Sequence, residues 1–517
     1  MTHNDRHAAG HGKSLILASV CLAAIVLPLS FSGGAVSTPA IGRELGGSAT
    51  SLTWITNAFM LSFGSLLMAA GALADVFGRK RMFITGVALF SLFSFALAAA
   101  PSVFWIDVLR ALQGIAAAAA LSGGSAALAQ EFEGHARTRA FSMLGTSFGI
   151  GLAFGPLLAG TLISTLGWRA VFLSTAIIGL IALVFGAPRM RETRDPNAQG
   201  VDWPGTITFT ATLVLFTYGV IEAPESGWGD PLVIALLAAS ALMLLVFVVV
   251  ETRSRRPMLD LTLFRYARFI GVQMLPVGTC YCYIVLIIML PLRFIGIVGL
   301  SEIDAGILMI ALSLPMLVVP VVVAALARWI SPGVLSGIGF LIAAVGLHWL
   351  STVELHATGM AVALPMLLIG TGAGMPWGLM DGLSVSVVPK ERAGMAAGIF
   401  NTTRVAGEGI ALAIVSAILA ALAQTSLGDV LGGAGMDAAR LAEGAQRLAT
   451  GDLMHAVAAL PDVSPALLSA AYGNAFESLL HIMTVITVLS AGAVFGFLSR
   501  TGNNDDAALG AAGQTGV

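Results

Sequence analysis

Charge is the scarcest property of this chain. Asp, Glu, Lys and Arg make up 10% of its 517 residues, against about a quarter in ordinary soluble domains. So few ionised groups cannot cover a water-facing surface, which excludes a soluble globule. With 57% hydrophobic residues and a mean hydropathy of +0.91, most of the chain has lipid for its solvent. Cysteine is almost absent too. Cys21, Cys280 and Cys282 all lie in apolar runs, too few for a disulfide framework, and Cys-Tyr-Cys is not a metal-ligand spacing. No metal or cofactor is expected. A net charge of −2 gives nucleic acid nothing to hold. The phosphate-cradling loop G-x-x-x-x-G-K-[ST] is missing as well, so any work must draw on a gradient rather than ATP. Nothing points to an enzyme.

Long apolar runs are what the chain has in abundance. A hydrocarbon core of about 30 Å needs roughly 20 apolar residues per helix. Fourteen such runs begin near residues 15, 50, 82, 103, 139, 168, 204, 231, 269, 303, 333, 359, 394 and 472. The first follows a polar start with Arg6 and Lys13, but it is too long for a signal peptide and thirteen more follow it. It reads as the first span. Basic residues test the count independently. With the N-terminus cytoplasmic and the spans alternating, nineteen Lys and Arg fall inside and five outside (Arg43, Arg169, Arg293, Arg440 and Arg447). Arg110 and Arg404 remain within spans. A missed helix would reverse this asymmetry downstream. The expectation is an all-α, multi-pass protein of the cell inner (plasma) membrane. Residues 1–14 would form a cytoplasmic N-terminus and 499–517 a disordered cytoplasmic tail.

The stretch "GALADVFGRKR" at 71–81 joins spans 2 and 3 on the inner side. Gly71 and Gly78 would let the backbone turn, and Asp75 would meet the start of the next helix. A basic anchor accounts for Arg79, Lys80 and Arg81, but not for Asp75 or the glycine spacing. The same grammar recurs further on. "ALADVFGR" at 72–79 corresponds to "ALARWISP" at 325–332, and "ARTRAFSMLGTSFG" at 136–149 to "ERAGMAAGIFNTTR" at 391–404, offsets of 253 and 255 residues. These point to two six-helix bundles, 15–187 and 269–498, with linkers and two inserted helices at 188–268. Paired halves around a midplane cavity are the build of a rocking transporter.

With these motifs the chain resembles the major facilitator superfamily, in its fourteen-span drug:proton antiporter branch, over nearly its whole length. Gly71, Leu73, Ala74, Asp75, Gly78, Arg79 and Lys80 match the family's loop signature, with Val76 where a basic residue is common. The resemblance implies that this loop latches the two halves in the outward-facing state. "LRALQG" at 109–114 matches the span-4 signature through Arg110, Gln113 and Gly114. "GLAFGPLLAG" at 151–160 matches the antiporter signature through Gly151, Gly155, Pro156 and Gly160. Many relatives carry an acid in span 1, nine positions before a proline. Counting back from Pro39 reaches Ser30.

Intramembrane charge is costly and faces a cavity or a partner. Asp107, three residues before Arg110, can reach it on the same helix face. Arg110 then either tunes a proton-exchanging carboxylate or merely pairs near the interface. Glu408 lies about 21 Å into span 13 at 1.5 Å per residue. It is a candidate proton carrier if it faces the cavity, and structural if it pairs with Arg404 one turn earlier. Asp381 is a second carboxylate for a proton or cation, or a hydrated interfacial residue. Trp377 stands beside Gly374 and Pro376 in "GAGMPWG", which reads as a broken helix at a binding site. The segment 425–471 reads as an amphipathic helical hairpin resting on the outer face.

The function expected is proton-coupled export of amphipathic, cationic small molecules by alternating access. A dedicated exporter or importer of one metabolite or antibiotic is the alternative within transport. A non-transporting sensor or scaffold is the alternative from another class. The partners expected are a small-molecule substrate, protons and the lipid bilayer, with a periplasmic adaptor left open.

Overall fold

The computed structural model describes residues 3–132, 134–186, 188–194, 200–254, 257, 259, 261–388, 393–430 and 438–498. The expected tail at 499–517, Lys390 and Arg392 lie outside the described residues, as do the side chains of Arg6, Arg137 and Arg139.

Fourteen helices are long and apolar enough to cross a membrane, and there is no strand among the described residues. In order, the first eight are α1 (His3–Leu45), α2 (Ala49–Phe77), α3 (Arg79–Ala98), α4 (Val103–Glu131), α5 (Gly134–Leu166), α6 (Arg169–Gly186), α7 (Trp203–Ser226) and α8 (Pro231–Arg253). Then come α9 (Ala267–Ile297) and α10 (Glu302–Leu326). They are followed by α11 (Pro332–Ser351), α12 (Met360–Ser386) and α13 (Ala393–Val430). Two short helices, α14 (Ala438–Ala449) and α15 (Leu453–Ala459), precede the last span, α16 (Pro465–Leu498). The starts are written locally. Ser48 accepts from Ser51 N at 3.1 Å to cap α2, and Asp230 and Ser331 cap α8 and α11 ahead of prolines at their first positions.

Burial sets the topology. In the first bundle α1 packs on α5 and α6, α2 on α4, and α3 on α4 and α6. In the second, α9 packs on α13 and α16, α10 on α12, and α11 on α12 and α16. Each pair is the counterpart of the other under one shift along the chain, so the duplicated grammar is also a duplicated packing plan. The bundles meet along α2–α13 and α5–α10, which are again counterparts. Helices α7 and α8 pair with each other, and α7 leans on both α2 and α13. Outward-facing side chains such as Leu92, Leu245, Val321 and Leu489 are exposed and apolar, the surface lipid requires.

The most buried span is α9, interrupted by π-helical turns at Cys280–Ile284 and Leu292–Ile297. Such turns concentrate at functional positions. Arg293, expected in an outer loop, lies in the second π turn and is only 4% exposed. Its guanidinium sits 4.8 Å over the Phe476 ring and donates to the Leu355 carbonyl. The three cysteines are free, and Cys280 and Cys282 are packed inside α9.

The hairpin does more than rest on a surface. Helix α14 buries Ala445, Gln446, Leu448 and Ala449 across the junction of the bundles. From there Gln446 donates to Thr50 Oγ1 at 3.1 Å and Arg447 to the Gly47 carbonyl at 2.8 Å.

Candidate functional site

Arg110 is fully buried where four helices of the first bundle converge. Its Nε donates to the Ile55 carbonyl at 2.8 Å, and its NH1 to Ser30 Oγ at 3.0 Å and Gln113 Oε1 at 2.7 Å. Gln113 in turn donates to Ser94 Oγ at 2.7 Å. The guanidinium also lies 4.4 Å over the Phe59 ring. None of these partners is a carboxylate. The expected pairing with Asp107 does not form: Asp107 Oδ1 has no hydrogen-bond partner, and neither has Arg110 NH2. The three-residue spacing shares a face, but Ile55 and Ser30 from neighbouring helices and Gln113 from α4 itself claim the guanidinium. Ser30 therefore occupies the place beside Arg110 that an acid in span 1 would fill.

A second constellation lies in the other bundle. Arg404 NH1 pairs with Asp381 Oδ1 at 3.2 Å, and its NH2 donates to Asn401 Oδ1 at 2.7 Å. Three rings surround the guanidinium at 5.7–5.9 Å: Phe148 from α5, Trp377 from α12 and Phe400 from α13. Of the two alternatives left open for Glu408, the pair with Arg404 does not form; Arg404 pairs instead from α13 to α12. Asp381 keeps 54% of its side chain exposed, so the pair borders open space. Trp377 is buried beside the cation, and α12 runs unbroken through Pro376. The glycines of "GAGMPWG" serve close packing: a side chain at Gly372 would strike Ala343 of α11, and one at Gly378 would strike Pro320 of α10.

Glu408 is left without a partner. It sits one turn beyond Arg404 and within electrostatic reach of Cys280 in the first π turn of α9. Its carboxylate makes no hydrogen bond or ion pair among the described residues. Its side chain is only partly buried, and its oxygens are not sealed off. An acid at this depth is costly and is kept where a cavity or a partner can serve it.

At the α2–α3 end, Asp75 pairs with Arg79 at 2.8 Å, the first residue of α3. Gly78 turns the chain with φ +115°, and a side chain there would strike the Glu192 carboxylate. Gly71 lies inside α2 with nothing near its face, so it makes no turn, contrary to the spacing argument. Lys80 is partly buried there. Glu192, which sequence reasoning missed, accepts from Arg81 N at 3.2 Å, and the Thr193 carbonyl accepts from Arg79 N at 3.0 Å. Alternating charges in "RMRETR" after span 6 were the available signal. Among the described residues, the loop's ion pairs stay within the first bundle and this segment.

The glycine row of α5 has two faces. Side chains at Gly151 and Gly155 would strike α1 at Pro28 and Ser32, whereas one at Gly160 would strike the Glu302 carbonyl of α10, across the bundle interface. Pro156 stands between them inside a continuous helix. Next to this contact Arg43 pairs with Glu302 at 2.9 Å. The α1–α2 end is therefore held shut by Arg43, Gly160, Gln446 and Arg447.

Comparison with known proteins agrees with this architecture. The family model of the Major Facilitator Superfamily matches residues 20–412. The chain is 34% identical over 403 residues to the puromycin resistance protein pur8 of Streptomyces alboniger, covering 76% of this chain and 79% of that protein. It is 29% identical over 394 residues to the multidrug resistance protein Stp of Mycobacterium tuberculosis, covering 76% and 73%. Among solved structures, a bacterial homolog of the human lysosomal transporter Spinster, inward-facing and occupied, superposes with a TM-score of 0.62 at 14% identity. That superposition covers 95% of this chain and 98% of the other. The chain belongs to the major facilitator superfamily. It is a multi-span membrane transporter of small molecules.

Proposed function

We propose that the chain is a proton-coupled exporter of amphipathic small molecules, cations among them, working by alternating access. The observation that carries this is Glu408, an acid deep in α13 that is only partly buried and makes no ion pair among the described residues. A carboxylate free of a permanent partner can take and release a proton as access alternates. Asp381 and the rings around Arg404 line the same region, giving a cationic or flat cargo both charge and stacking surface. The α2–α3 end is cytoplasmic and the membrane is the inner one. Arg79, Lys80, Arg81, Arg189, Arg191 and Arg194 support that side, as the positive-inside rule requires. Export would account for the resistance for which two relatives are named, a puromycin resistance protein and a multidrug resistance protein.

In the cycle, cargo enters from the α2–α3 end and meets Glu408 and Asp381. The bundles then rock over the α2–α13 and α5–α10 contacts, and protonation of Glu408 from the opposite end releases it. Ethidium-loaded cells test the reading. Cells expressing the chain should expel the dye several times faster than controls, and an uncoupler should abolish the difference. Efflux that survives the uncoupler would exclude proton exchange.

A further inference from the structure

A narrow, partly open chamber lies beneath α14, with a water-accessible core of about 40 Å³. Its walls come from α1, α2, α7, α9 and α13, and α14 is its roof. Both bundles, an inserted helix and the hairpin therefore meet around one space. It is separate from the Arg404 constellation, which shares no lining residue with it.

The chemistry of the lining is unusual for a path taken by cations: none of its side chains carries a charge. Two of them carry unmet acceptors instead. Asn57 has no exposed surface, and its Nδ2 donates to the Thr53 carbonyl at 3.1 Å. That bond fixes the amide, because a carbonyl can only accept, and it leaves Oδ1 without a partner. Gln446, 5% exposed, donates through Nε2 to Thr50 and leaves Oε1 equally bare. A buried polar group left unsatisfied costs about 1–3 kcal/mol. Two in one chamber call for something that brings donors. At roughly 10–15 Å³ per water the chamber holds about three waters. That water does not reach either oxygen while the roof is down.

The two acceptors belong to different bodies. Asn57 is on α2 of the first bundle and Gln446 is on the roof. A molecule with two donors bridges them, while Leu52, Ile288, Met289 and Leu412 offer it apolar surface. A permanent cation would shed water here without meeting a counter-charge, which is unfavourable.

We propose that this chamber is an exit-side subsite for the donor-bearing end of a neutral amphipathic molecule, one with hydroxyl or amide N–H groups. Asn57 Oδ1 and Gln446 Oε1 are its acceptors. This deepens the transporter reading above and rests on it. The hairpin then selects cargo as well as covering it.

The test uses the purified full chain and two probes of opposite character. Chloramphenicol is neutral and carries hydroxyl and amide donors. Tetraphenylphosphonium is a cation with no donor. Equilibrium binding is measured for the wild type, Asn57→Ala and Gln446→Leu, the second variant serving if the first fails to fold. Both variants should weaken chloramphenicol at least fivefold and change tetraphenylphosphonium less than twofold. Absence of chloramphenicol binding to the wild type overturns the subsite, as does equal weakening of both probes or of neither. Uptake into proteoliposomes separates the two claims. Movement of tetraphenylphosphonium without chloramphenicol binding sinks the subsite alone, whereas chloramphenicol binding without movement of either probe sinks the transporter reading alone.

Discussion

The Oγ of Ser30 lies 3.0 Å from NH1 of Arg110, so a hydroxyl stands where a buried guanidinium would be matched by a carboxylate. A buried charge without its counter-charge is a liability that neutral acceptors only partly offset. Ser30→Asp should therefore stabilise the protein, raising the thermal unfolding midpoint in detergent by several degrees. A lowered midpoint would mean that desolvating the new acid outweighs its attraction to Arg110.

Among the described residues Glu408 has no ion-pair partner to lose. Glu408→Gln should insert and unfold like the wild type, within about 1 kcal/mol, because no ion pair is broken. Uptake driven by a pH gradient in proteoliposomes should fall more than tenfold, while exchange of labelled for unlabelled cargo, which needs no net proton, should persist. Gradient-driven uptake at the normal rate would place the proton on another group.

The Arg404–Asp381 pair is lopsided. Asp381 is more than half exposed, so the ion pair itself is worth about 1 kcal/mol or less. Asp381→Asn should barely move the midpoint. Arg404→Ala also loses the bond to Asn401 and the contacts with Phe148, Trp377 and Phe400, so its midpoint should fall several degrees further. Equal losses in the two variants would show that the ion pair, rather than the ring cage, holds Arg404.

Two glycines of the family signatures should respond in opposite ways. Gly160→Val forces a side chain into the Glu302 backbone, so the α1–α2 end should fail to close and cargo efflux should drop at least tenfold. Gly71→Ala meets open space inside α2, where alanine is favoured by about 0.5–1 kcal/mol. Its unfolding midpoint should hold or rise. A drop in efflux with Gly71→Ala would show that α2 bends there at another stage of the cycle.

Much of the fold was legible because a membrane makes structure local. A span needs about 20 apolar residues and closes its own hydrogen bonds, so composition along the chain marks each one. Twelve of the fourteen runs begin within about five residues of their helices, while α1 reaches back from the run near 15 to His3. The last, placed near 472, begins at Pro465, the first of a prolyl-alanyl-leucyl turn that the sequence reading assigns to the outer segment. The glycines at 151, 155 and 160 could be read as close-packing positions without knowing against what. The partners were a different matter. Asp107 and Arg110, and Arg404 and Glu408, have the spacing of neighbours on one helix, yet each arginine is claimed from other helices.

Sequence alone therefore determined how many times the chain crosses, how its halves correspond and which ionised groups lie at membrane depth. These follow from local hydropathy and from the cost of charge in oil. Tertiary structure decided which of those groups are spoken for and which are free. It bound Arg404 to Asp381, gave Arg110 a ring of neutral acceptors, left Glu408 unpaired and laid Gln446 over the junction of the bundles. Those outcomes depend on helix rotation and approach, set by packing across hundreds of residues, which no spacing along one helix encodes.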